Sequence, residues 1–272
     1  MKGTPVSHPS SGPQPARKLY AERPGWGPDF DYDEARHLVA YEFASRLAVD
    51  KRLLDAGCGE GFCTQDLADV ARTVVGVDYH AEAVATARRK WQKPNLRFEV
   101  VDLTKESPGA AAFDIVLNFQ VLEHVADDLG FVRNLRAALA PGGTLVLTTP
   151  NAPMSFSENP CHLREYTAAE LHTLLGRVFS HVEMLGVFPN AKVEAFDRER
   201  RRAVERILRL DPLGLRRLLP ERVVHVAFAR LGQLVRRQAH GATGGTKISL
   251  EDFEVRTGDL DRALDLVALC RA

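Results

Sequence analysis

Three glycines and three aspartates are spaced so that they could hold a small molecule at the ends of strands. In LLDAGCGEGF, Asp55 closes an apolar run and Gly57, Gly59 and Gly61 follow at every second position. Glycine tolerates positive φ and lets the backbone approach a ligand with no Cβ in between. A helix beginning near Gly61 would turn its first amides toward that ligand. Asp78 ends the next apolar run, TVVGV, where a carboxylate can accept both hydroxyls of a ribose. Asp102 follows LRFEVV and is placed to meet the amino group of an adenine. A dinucleotide fingerprint would need a further glycine where Phe62 and Thr64 stand, so a pyrophosphate-binding turn is disfavoured. An acid directly before the glycines suits a ligand with a cationic amino acid part.

The elements that would carry these residues alternate between strand-like and helix-period runs from residue 33 to about 188. Strands are expected at 51–55, 73–77, 96–101, 113–118, in TLVLTT after the turn Pro141, Gly142, Gly143, in HVEMLGVF, and in ALDLVAL near the end. Helices are expected from Asp33 to about Ala48, from near Gly61, over 81–92, up to about Leu139, and from Thr167 to about Val178. This rhythm predicts an α/β fold: a doubly wound, Rossmann-like, seven-stranded sheet, mostly parallel with an antiparallel last strand. Residues 18–188 and 247–272 would form that domain. Residues 189–246 read as a helical cap insertion, and 1–17, rich in Pro, Ser and Gly, as a disordered tail.

Composition narrows the partners. Lys plus Arg and Asp plus Glu both total 36, so whole-chain charge argues for neither nucleic acid nor a membrane surface. No run of ~18 apolar residues could span a bilayer. Cys58, Cys63, Cys161 and Cys270 match no zinc or redox spacing and read as reduced, small fillers of a cytoplasmic protein. Charge is uneven, however. Residues 189–240 carry 13 Lys and Arg against 6 Asp and Glu, and Val224, Ala227, Phe228, Leu231, Leu234 and Val235 recur at helical spacing. That stretch could close a pocket and offer Arg200, Arg201 and Arg202 to an anionic or lipid-linked acceptor.

On Asp55, Gly57, Gly59, Gly61, Asp78, Asp102, the segment NFQVLEHV and the tract LAPGGTLVLTTPN, the chain resembles the class I S-adenosylmethionine-dependent methyltransferases. The tracts AERPGWGP, ARHLVAYEFA and NPCHLREYTAAEL look like bacterial members found with glycan biosynthesis, of the mycobacterial methylglucose lipopolysaccharide type; the ubiquinone-pathway O-methyltransferases are similar more distantly. The resemblance implies S-adenosylmethionine as cofactor, held by the glycines and acids together with Tyr79, Leu103, Asn118 and Phe119. It makes Glu22 and Arg23 part of a lid. His37, which shares a helical face with Tyr41 at i, i+4, would close over the cofactor.

Methyl transfer to a sugar or alcohol hydroxyl gains from a positioned base, and histidine is the usual one. His124 follows the fourth strand; His162 lies in the loop after the fifth, with Arg164, Glu165 and Tyr166 beside it. Either histidine could be the base, and Glu165 belongs with them as a catalytic candidate. Glu123, Asp127 and Asp128 flank His124, but such a run more often begins a solvated helix, and no metal is expected. The segment Asn118, Phe119, Gln120, Val121 lacks the prolines of adenine methyltransferases, which disfavours nucleic-acid bases and leaves a small-molecule or glycan acceptor. Two other readings remain: a non-catalytic cofactor-binding regulator and a nicotinamide-dependent oxidoreductase.

Overall fold

The computed structural model describes residues 31–155, 159, 161–209, 221–245 and 247–272. The expected tail and the lid residues Glu22 and Arg23 lie outside these, as do the side chains of Val224, Ala227 and Phe228.

One sheet organises the chain. Its strands are β1 (Arg52–Ala56), β2 (Thr73–Asp78), β3 (Leu96–Val100), β4 (Phe113–Phe119), β5 (Leu139–Pro150), β6 (His181–Pro189), β7 (Phe253–Arg256) and β8 (Asp265–Arg271). They run in the order β3-β2-β1-β4-β5-β8-β6-β7. The first five pair in parallel, β8 is antiparallel to both β5 and β6, and β7 is antiparallel to β6. The expected seven strands are therefore eight. The strand missed is FEVR, four residues long and only partly buried; its place comes from pairing with Gly186–Pro189, which no local pattern announces.

Strand residues alternate between two cores, because successive side chains point to opposite faces. Leu53, Leu117, Phe119 and Val146 face α1 (Asp31–Leu47), α2 (Thr64–Leu67) and α6 (Ala191–Leu208). Leu54, Val116, Leu145 and Leu147 face α4 (Asp128–Ala138) and α5 (Ala168–Gly176). Phe131, Val132, Leu135 and Ala138 supply the buried stripe of α4, and Thr167 with Glu170 forms the capping box that starts α5. Val84 and Ala87 of α3 (Ala81–Lys90) close over Phe98 and Cys58.

Local differences from the sequence reading have backbone causes. The Pro141, Gly142, Gly143 turn is an irregularity inside β5, whose register to β4 shifts between the Phe113↔Leu139 and Ile115↔Thr144 pairs, with Gly142 at φ 75°. α1 begins at Asp31, two residues ahead of the expected cap, and Asp33 lies in its first turn, 3.2 Å from Arg236. The last strand runs Asp265–Arg271 instead of starting at Ala263. α6 and α7 (Glu221–Ala242) occupy the Arg-rich stretch. Among the described residues no helix is long and apolar enough to cross a membrane.

Candidate active site

Strand order reverses between β1 and β4, and ligands of such sheets bind outside the strands' carboxyl ends at that point. The glycine loop sits there. Gly57, Gly59 and Gly61 have φ of 98°, 55° and 73°. A Cβ on Gly57 would meet Val121 at 2.4 Å and one on Gly61 would meet Phe98 at 2.5 Å, whereas Gly59 has nothing within 4 Å. Gly57 and Gly61 are thus required by close packing, and Gly59 leaves the space a ligand can fill. The loop's amides are engaged internally: Gly57 and Cys58 donate to the Val77 carbonyl at 2.8 and 3.0 Å, and Gly59 to Asp78 at 2.9 Å. The helix expected near Gly61 is the four-residue α2, starting only at Thr64. Neither feature makes an amide nest for a pyrophosphate.

Asp78 also accepts from the His80 amide at 2.8 Å, which fixes its carboxylate beside the loop. Tyr79 is exposed next to it. Asp102 is bound locally by Lys105 and Thr104, whose hydrogen bonds hold its carboxyl down at about 2. Leu103 turns its side chain into the core, and its carbonyl accepts from Asn134 at 2.9 Å.

Asp55 is buried, and burial pushes its carboxyl up to about 6 against the hydrogen bonds donated by Thr64 (2.6 Å) and Tyr41 (3.2 Å). A cationic ligand beside it would favour its charged form. Tyr41 lies edge-on to Phe119 at 4.8 Å and 5.2 Å from the ring of His37, which burial lowers to about 4 and so keeps neutral. The His37–Tyr41 face is therefore present and covers Asp55. Asn118 is fully buried; its amide donates to the Ala56 carbonyl at 2.7 Å while its Oδ1 has no partner. These residues fit an adenosine-bearing cation: a carboxylate fixed at a strand end, open space over a glycine, and a buried acid under hydroxyl donors.

Beyond β4, a 3-10 turn (Leu122–His124) carries Glu123 and His124, and the loop before α5 carries Asn159, Cys161, His162 and Glu165. The structure brings the two histidines together, with ring centroids 5.0 Å apart. His124 Nδ1 lies 2.8 Å from the Cys161 carbonyl, which can only accept; Nδ1 therefore bears the proton and, in the neutral ring, the lone pair is on Nε2. His162 contacts Glu165 through Nδ1 at 2.7 Å and Asn159 through Nε2 at 2.8 Å. Although burial opposes it, the bonds to Glu165 from His162 and Ser155 hold its carboxyl below the usual range.

Glu123 is the residue that the sequence reading undervalued. It is buried, accepts from Thr149 at 3.0 Å, and burial pushes its carboxyl up to about 8, so it is protonated at neutral pH. Its main-chain carbonyl accepts the amides of Leu163 and Arg164, which ties the loop to the turn. An acid between apolar Leu122 and Val125, directly before a histidine, was the available signal. Glu123, His124 and His162 each offer a ligand atom, all within 4.8 Å of one another. Within this cluster His162 is hydrogen-bonded at both ring nitrogens, to Glu165 and Asn159. Asp127 and Asp128 are elsewhere: Asp127 caps α4, and Asp128 accepts from Tyr166 at 3.0 Å.

The arginines expected to face an acceptor are engaged within the fold. Arg200 pairs with Asp197 at 3.1 Å and stacks 4.4 Å over Tyr32; Arg201 donates to the Met154 carbonyl at 2.7 Å; exposed Arg202 pairs with half-buried Glu199. Arg36, on the α1 face toward the site, grips Asp265 and donates to the Leu264 carbonyl at 2.8 Å, fastening α1 to β8.

A family described as a methyltransferase domain matches residues 30–203. A protein of Mycolicibacterium smegmatis named a probable S-adenosylmethionine-dependent methyltransferase is 38% identical over 169 residues, 60% of this chain and 65% of that one. A ubiquinone biosynthesis O-methyltransferase of Cereibacter sphaeroides is 39% identical over 109 residues, 39% of this chain and 44% of its own. The chain thus spans less than two thirds of the length of these relatives. Among solved structures, an S-adenosylmethionine-dependent methyltransferase of Mesorhizobium loti shares the fold, with a TM-score of 0.52 at 18% identity over 86% of this chain and 98% of that one.

Proposed function

The chain belongs to the S-adenosylmethionine-dependent methyltransferases, and from that premise we propose that it methylates a hydroxyl oxygen on a sugar, glycan or related polyhydroxylated metabolite, with His124 as general base. The observation that carries this reading is the pairing of His124 with His162 and Glu123 at the sheet edge beside the glycine loop. When bound, S-adenosylmethionine supplies an electrophilic methyl group on sulfonium.

The chain's own residues do the rest. Asp78 and Asp102 are assigned to ribose and adenine, and Gly59 lets the ligand lie against the loop. Buried Asp55, with Tyr41 and Thr64 on its oxygens, is assigned to the methionine end. Tyr41, His37 and Phe119 exclude water from one side, which strengthens electrostatics within the site. His124 Nε2 removes the hydroxyl proton as the oxygen meets the methyl carbon. His162, bonded to Asn159 and Glu165, holds the loop. The oxygen chemistry named for the Cereibacter relative supports an oxygen acceptor.

The test is transfer from labelled S-adenosylmethionine to hexoses, hexosides and catechols. His124→Ala is expected to lower turnover by roughly 10²- to 10⁴-fold, with unchanged affinity for S-adenosylhomocysteine by calorimetry. Normal turnover in that variant overturns the base assignment, and methylation of catechols alone overturns the acceptor class.

A further inference from the structure

The geometry points to Asn159 as a positioning residue that dictates which ring nitrogen of His162 carries the proton and, through the adjoining Cys161 carbonyl, anchors His124. Its effect on turnover rests on the proposed role of His124; its effect on the rings does not.

Asn159 Oδ1 accepts the Cys161 amide at 3.0 Å. An amide N–H only donates, so this bond fixes the side-chain orientation and leaves Nδ2, also only a donor, facing His162 Nε2 at 2.8 Å. Nε2 must therefore hold its lone pair toward Asn159. The remaining ring proton lies on Nδ1, where the Glu165 carboxylate accepts it at 2.7 Å. The main chain adds a third tie, since the His162 amide donates to the Asn159 carbonyl at 3.0 Å.

The same turn aims the Cys161 carbonyl at His124 Nδ1, 2.8 Å away. One asparagine thus sets the tautomer of one ring directly and shapes the turn that sets the other. A histidine's reactivity depends on which nitrogen its partner protonates. His162 lies between a donor facing Nε2 and an acceptor facing Nδ1, with its ring 5.0 Å from that of His124.

The test is nuclear magnetic resonance of the full chain, labelled with ¹⁵N at histidine and asparagine and saturated with S-adenosylhomocysteine. His162→Gln and His124→Gln variants supply the assignments. Both rings are expected as the neutral Nδ1–H tautomer, with a coupling across the hydrogen bond from Asn159 Nδ2 to His162 Nε2. In Asn159→Asp the donor becomes a carboxylate, so His162 is expected to be protonated on both nitrogens, with carboxylates on either side. A wild-type His162 in the Nε2–H form, no coupling to Asn159, or a neutral His162 unchanged in a folded Asn159→Asp protein overturns the proposal. The wild-type measurement decides alone if that variant does not fold. Predicted tautomers together with undiminished turnover in His124→Ala would retire the base assignment and leave the role of Asn159 standing.

Discussion

The glycine loop and the histidine cluster occupy the same edge of the sheet and are held by different kinds of bond. The loop is fixed mostly by main-chain groups of its own and of the neighbouring strand end: Gly57 and Cys58 to Val77, Gly61 to Cys58, and Gly59 to the one side chain Asp78. The cluster is held mainly by side chains and carbonyls drawn from the turn after β4, the end of β5 and the loop before α5. On the proposed assignment, the half that binds the cofactor is built into the backbone, whereas the half that meets the acceptor is assembled from side chains that can change without disturbing the sheet.

Three perturbations separate the halves, beginning with the largest. Asp78→Ala removes a charged acceptor from the cofactor half, a loss typically worth ~1.5–3 kcal/mol, so affinity for S-adenosylhomocysteine is expected to fall by more than about tenfold. Calorimetry on the folded variant checks this, and unchanged affinity would dissolve the assignment of that half.

The second perturbation lies in the acceptor half and reads stability against pH. Burial raises Glu123 from 4.5 to about 8, so between those values the folded chain binds more protons than the unfolded one. Stability contributed by the neutral carboxyl is therefore full below pH 4.5 and is lost as pH rises toward 8. Glu123→Gln should remove this slope, melting with the parent at pH 5 and above it at pH 8. Parallel melting curves across that range would mean that Glu123 is ionised in the folded protein.

The smallest effect is expected outside both halves. Arg202 forms an exposed pair with Glu199, and such pairs contribute ~0–1 kcal/mol. Arg202→Ala should leave melting temperature, cofactor affinity and acceptor kinetics near those of the parent. A raised acceptor KM, shrinking with salt, would instead extend the acceptor half onto α6.

How much of this was legible followed the range of the interactions. Asp55 to Gly61 and Asp78 could be placed because strand ends and glycine spacing are local signals. The eighth strand could not: Phe253–Arg256 is too short to show a pattern and is defined by its partner β6. Arg200 and Arg201 look like surface charge in the sequence, yet they turn inward to Asp197, Tyr32 and the Met154 carbonyl. Glu123 reads as one acid in an acidic run, but its neighbours Asp127 and Asp128 cap α4 and meet Tyr166, while it alone is buried.

By itself the sequence determined the alternation that builds a parallel sheet, the glycine spacing that disfavours a pyrophosphate, and the acids at successive strand ends. These depend on the period of apolar residues and on the φ values glycine permits, both properties of short stretches of chain. Only the tertiary structure decided that His124 and His162 meet and that a buried Glu123 adjoins them. Those facts depend on segments separated in sequence arriving at one place, and on burial, which no residue carries until the rest of the chain has folded around it.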